Sequence, residues 1–98
     1  MANVIRGNKI YVDTTGSLST QRVKVVYILF TPDAANDQLI LRETSSDNDI
    51  FFIRQATAKD TQIYDFSLNP LVFNNGLYVQ TITSGAKCVI VTTSGGGQ

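Results

Sequence analysis

Leu71–Thr93 reads LVFNNGLYVQTITSGAKCVIVTT, and its reading decides the fold class. Short runs of Val, Ile, Leu, Tyr and Thr are separated by NNG and SGA. β-Branched and aromatic side chains suit a pleated, half-buried strand. Asn75-Gly76 supplies the positive backbone angles of a tight hairpin turn at little steric cost. Ser84-Gly85 repeats that logic, so the last two strands, LYVQTIT and KCVIVTT, are expected to pair as a hairpin. Pro70, directly before LVF, fits a strand start, where a missing amide proton does least harm.

The same grammar runs through the rest of the chain. KIYV, RVKVVYILF, QLILRE, IFFIRQ and IYDFS read as further strands, divided by DTTGSLST, TPDAAND, TSSDND and ATAKDTQ. About eight short strands at this spacing predict an all-β, antiparallel two-sheet sandwich, a jelly roll or an Ig-like Greek key, with little or no helix. The best helical window, PDAANDQLILRE, is interrupted by Asn36 and Asp37, and its second half reads more easily as a strand. The expected organisation is an N-terminal arm over residues 1–8, one sandwich domain over 9–93 and a Gly-rich tail over 94–98. At 98 residues there is room for one core only. A chain of this size buries roughly 65% of its unfolded surface, enough to fold without metals or disulfides.

Within RVKVVYILF, alternation places Val23, Val25, Tyr27 and Leu29 on one face and Lys24, Val26, Ile28 and Phe30 on the other. The first set is the cleaner core face. In DIFFIRQ, Phe51 and Ile53 share one side, and Ile50, Phe52 and Arg54 the other. A one-sided sheet then leaves Val26, Ile28, Phe30 and Phe52 outward, to be covered by a loop or by another subunit. Val4 and Ile5, in the arm MANVIRG, are further contact residues, because an extended arm can add a strand to a neighbour's sheet.

Composition narrows the chemistry. Eight basic and eight acidic residues are scattered without runs, which argues against nucleic acid and against an electrostatic membrane anchor. MANVIRGNK lacks the apolar core of a signal peptide, and no apolar run approaches the ~18 residues of a membrane span. The expectation is a soluble protein made in a cytoplasm. The single cysteine, Cys88, lies in an apolar run and reads as a small buried hydrophobe. The chain has no histidine, which removes the usual general base, the commonest metal ligand and the Ser-His-Asp triad together.

KIYVDTTGSLST, residues 9–20, raises the question of an aspartic protease. Such enzymes need two carboxylates sharing a proton on Asp-Thr-Gly loops. Here Asp13 and Gly16 are one residue too far apart, so Asp13 reads as a turn residue bonding nearby backbone. Paired carboxylates at Asp47 and Asp49, or Asp60 and Asp65, carry no further signature. SSDND resembles part of a calcium loop but lacks its glycine and distal glutamate. SGGGQ is followed by neither helix nor lysine, so it is not a phosphate loop. No catalytic residue, metal ligand or cofactor is expected.

The order of motifs resembles a class of small all-β structural proteins of tailed bacteriophages. VKVVYILFTPDAANDQLILRE, then IFFIRQATAKDTQIYDF, then the closing LVFNNGLYVQTITSGAKCVIVTT carry the resemblance over roughly residues 21–93. Phe73, Asn75, Gly76, Leu77, Tyr78 and Val79 match the hairpin pattern of that class. The resemblance implies a virion component without enzymatic activity, of the capsid decoration (cement) type. Its partner would be the major capsid or another virion protein, and it would be a homo-oligomer, with a trimer favoured. A tail or fibre-attachment protein is the alternative within virions. A carbohydrate-binding module is the rival from another class, with Tyr11, Tyr64 and Tyr78 in place of the usual tryptophans.

Overall fold

Ten strands form where the alternating runs lie. They are β1 (Val4–Arg6), β2 (Lys9–Val12), β3 (Gly16–Ser19), β4 (Val23–Thr31), β5 (Asp37–Arg42), β6 (Asp49–Gln55), β7 (Gln62–Asp65), β8 (Leu71–Phe73), β9 (Leu77–Ile82) and β10 (Lys87–Thr92). The computed structural model describes residues 3–6, 8–46 and 49–93. The tail 94–98, parts of the arm, and Asp47 of the calcium-like SSDND lie outside them. Among the described residues there is no helix. Two strands exceed the expected eight. β1 arises from the arm, which folds back onto β2 of its own chain, and β3 forms inside what reads as the DTTGSLST spacer.

One sheet has the order β1-β2-β10-β4-β7, with β8 also paired to β4; the other has the order β3-β9-β5-β6. All pairings are antiparallel. The order β2-β10-β4-β7 facing β3-β9-β5-β6 is that of a jelly roll, in which two Greek keys interlock. β4 organises the first sheet: Val23–Val25 pair with β8, and Tyr27–Phe30 pair with β7. The two sheets share one core, in which Ile10, Ile28, Phe30, Leu39, Leu41, Phe73, Leu77 and Ile90 are fully buried. Each such side chain contributes about 1.5–3 kcal/mol relative to remaining exposed.

The SGA and NNG turns do not make hairpins. β8 and β10 belong to the first sheet and β9 to the second, so both turns are corners where the chain changes sheet. Gly76 and Gly85 do adopt positive φ (132° and 92°), as their sequences require. That angle reverses the chain without choosing its next partner. The acidic turn is likewise not a helix start. The Asp37 carboxylate accepts the backbone N–H groups of Asp33 and Ala34 (2.9 and 3.0 Å), which closes a loop before β5.

The expected face assignment fails in the middle of β4. Thr92 pairs with Val25 but Val91 with Tyr27, so Val26 is an extra residue, a β-bulge. Its carbonyl accepts the Phe66 N–H at 2.7 Å. One inserted residue reverses the phase of everything after it. Val23 and Val25 point inward as expected, but so do Ile28 and Phe30, while Tyr27 and Leu29 turn outward. Ile28 and Phe30, expected at a partner interface, are therefore core residues with no exposed surface. β9 uses the same device: Ile40 pairs with Thr81 and Leu41 with Val79, leaving Gln80 unmatched.

Candidate functional site

The outward residues of the six-stranded sheet line up across its width. Val4 lies opposite Tyr11, Tyr11 opposite Val89, Val89 opposite Leu29, and Leu29 opposite Ile63. This apolar row runs from β1 through β2, β10 and β4 to β7. Val4, Tyr11 and Ile63 are 42, 41 and 62% exposed, and Val89 and Leu29 are half-buried between them. Directly paired side chains on one face stand about 5 Å apart, so the row is a continuous surface.

A second row flanks it. Arg6 lies opposite Lys9, Lys9 opposite Val91, Val91 opposite Tyr27, and Tyr27 opposite Asp65. Its β1–β2 end is basic and its β7 end is acidic. Among the described residues the salt bridges are Arg42–Asp49 and Lys59–Asp33, so none of these three charges has an opposite partner. The Ser67 hydroxyl, and then the Ser67 backbone N–H at 2.8 Å, hold the Asp65 carboxyl below its usual range, which keeps it charged. At the β1–β2 end of the apolar row, on the side away from Arg6 and Lys9, Val4, Tyr11, Val89, Asp13 and Lys87 line a mainly apolar hollow of about 280 Å³.

The other outer face is smaller in apolar extent. Phe52 on β6 is 57% exposed and lies opposite Ile40, which in turn faces Thr81; Ile50 is exposed nearby. Of the residues expected at an interface, Val4 belongs to the first face and Phe52 to the second. Ile5, in register with the buried Ile10, is exposed on the edge strand β1. Val26 is half-buried at its bulge. These residues do not form one patch. Tyr11, Val89, Leu29 and Ile63 were not readable as a row, because their alignment depends on which strands pair. A local signal existed for Val89 and Val91, which alternate with the apolar Cys88 and Ile90.

Asp13 is placed by its neighbour. The Asn3 side-chain oxygen accepts the N–H groups of Asp13 and Thr14 (2.9 and 3.2 Å), and the Asn3 amide donates to the Thr14 carbonyl (3.1 Å). The turn is thus held by Asn3 and not by the Asp13 carboxylate, one oxygen of which is buried without a partner among the described residues. No group of three or more His, Cys, Asp or Glu side chains able to hold a metal occurs among the described residues. Cys88 is buried, and burial pushes its thiol well above the usual range.

The three tyrosines do not assemble into a platform. Tyr11 is outward on the first sheet, whereas Tyr64 faces inward and donates its O–H to the buried Gln55 at 2.8 Å. Its ring meets Phe51 edge to face, with centroids 5.6 Å apart. Tyr78 lies on the second sheet. No protein-family model, curated protein or solved structure matches the chain.

Proposed function

We propose that this protein is a non-catalytic structural component of a bacteriophage virion, of the decoration type, which binds the assembled head shell. The observation that carries the reading is apolar surface on both outer faces of one small sandwich: the Val4–Ile63 row on one side and Phe52 with Ile40 on the other. A protein with two opposed adhesive faces bridges neighbours. An enzyme or single-ligand receptor gathers its chemistry in one concave site instead. The motif order over residues 21–93 supports the same class.

The mechanism is binding alone. A protein that engages the assembled lattice and not its free subunits favours the lattice by mass action, by RT ln(1 + [L]/Kd) per site. Phe52 is the natural anchor toward the shell, because exposed aromatics contribute disproportionately at interfaces. Co-sedimentation of the purified protein with assembled shells of its source phage, against unassembled shell protein, tests this. Binding to shells only is the expected result. Binding to neither, with the protein folded, would overturn the proposal.

A further inference from the structure

We infer that the outer face of the six-stranded sheet is covered by a second copy of this chain, related by a two-fold axis running along β10. The face is self-complementary about that axis in three independent respects. β1 and β7 lie two strands from β10 on opposite sides, and β2 and β4 lie one strand away. Rotation therefore sets β1 against β7 and β2 against β4 of the other copy.

Shape comes first. Ile63 on β7 stands proud of the sheet, and the hollow beside Val4 and Tyr11 lies at the matching place on the opposite side of β10. Each copy inserts an isoleucine into the other's hollow, and Tyr11 packs on Leu29. Charge is second. Arg6 meets Asp65 in both symmetry-related positions, and Lys9 meets the ring of Tyr27. Both pairs lie on one row, so a single register satisfies them together. The third respect is the axis itself, where Val89 and Val91 meet their own copies. Lys87 also lies on it, at the far end. The acidic Asp13 beside it, lining the same hollow, offsets its charge.

Extent is the remaining check. A patch five strands wide and three rows deep measures roughly 24 by 20 Å, which face to face buries on the order of 1,000 Å² in total. That lies at the small end of specific contacts, so the pair is concentration-dependent, and it is isologous where the resemblance implied a trimer. The inference does not need the virion reading, and it leaves Phe52 on the opposite sheet free for another partner.

Sedimentation equilibrium of the purified protein from about 10 µM to about 1 mM reads the association directly. The expected result is a monomer–dimer equilibrium that Ile63→Asp weakens at least tenfold. Arg6→Asp alone and Asp65→Arg alone are each expected to be monomeric at concentrations where the unaltered chain is paired. An equimolar mixture of the two is expected to form a heterodimer, because both symmetry-related contacts are then attractive. Circular dichroism melts verify that each variant is folded. A wild-type chain that stays monomeric, that forms trimers, or whose dimer tolerates Ile63→Asp overturns the inference. So does a mixture that fails to pair. Shell binding is a separate readout, so either conclusion can fail alone.

Discussion

Gly76 sits directly against the Ser19 carbonyl: a β-carbon added to the glycine would lie 2.5 Å from that oxygen, nearer than any real contact. The Glu43 carbonyl would be 3.2 Å away. The corner between β8 and β9 is thus pressed onto the end of β3 and the loop that follows β5. Glu43 binds it by accepting the Asn74 N–H (2.6 Å) and the Asn75 side-chain amide (3.1 Å). The obstruction is backbone, which cannot swing aside as a side chain can, and φ is 132°. Gly76→Ala is expected to destabilise by about 2–3 kcal/mol, a fall in Tm of roughly 10–20 °C for a domain of this size. A thermal melt within 3 °C of wild type, on the scale of about 4–8 °C per kcal/mol, would count against the corner as described.

Phe30 and Phe52 separate stability from docking. Phe30 has no exposed surface, so Phe30→Ala is expected to cost about 3–5 kcal/mol by opening a cavity between the sheets. Any loss of binding in that variant would follow from unfolding. Phe52→Ser removes an exposed ring and is expected to change stability by less than about 0.5 kcal/mol. Under the proposed function it reduces shell co-sedimentation while the melt is unchanged. Normal co-sedimentation of Phe52→Ser would remove Phe52 from the docking surface.

The Asp65 carboxyl gives a pH prediction with a definite sign. It is held below its ordinary value by the Ser67 hydroxyl first and the Ser67 N–H second. A carboxyl depressed in the folded state adds stability that is complete above its unfolded value and is lost as pH falls through the lower folded value. Ser67→Ala deletes the hydroxyl and keeps the N–H. Carbon-detected NMR titration should therefore show the Asp65 midpoint rising toward the ordinary carboxylate range without reaching it. An unmoved midpoint would mean that the hydroxyl does not contact the carboxylate.

Asp33 titrates likewise but for a different cause. Its carboxyl is lowered by the hydrogen bond from the Lys59 ammonium, then by the charge of Lys59. Lys59→Met is expected to raise the Asp33 midpoint in the same NMR experiment. Both groups are exposed, and such pairs are worth little to the fold, so the melt at neutral pH should move by only a degree or two, on the scale of about 4–8 °C per kcal/mol. A large fall in Tm would show that the Lys59 turn, with its φ of 63°, matters more than its ion pair.

Cys88 reports on opening of the sandwich. The thiol is buried against the core, and burial raises it out of the reactive range. Alkylation under native conditions is expected to be slower than for the unfolded chain by several orders of magnitude and to accelerate with denaturant along the unfolding curve. Rapid labelling in native buffer would place Cys88 at the surface.

The extent to which this fold is legible in sequence follows from the range of each interaction. Alternation in KIYV and KCVIVTT, and the glycine turns NNG and SGA, are local. They determined that the chain is all-β and placed eight of its strands within a residue or two. β3 was missed because GSLS offers one apolar residue among serines and glycine, and its pairing with β9 supplies what its own composition lacks. The core and outer faces of β4 were half legible. The alternation to Val25 is correct, and the Val26 bulge then reverses it, for a reason residing in the partner strands β10 and β7. The row from Val4 to Ile63 joins residues from five strands across nearly the whole chain, so only tertiary pairing brings it together.

By itself, then, the amino-acid order determined eight of the ten strands and the turns between most of them. Only the folded molecule decided to which sheet each strand belongs. Ser84-Gly85 and Asn75-Gly76 specify positive backbone angles, and those angles serve a hairpin and a sandwich corner equally well. Choosing between them rests on burying Leu77, Val79 and Ile82 against a sheet formed by distant residues. That free energy exists only when both layers are in place.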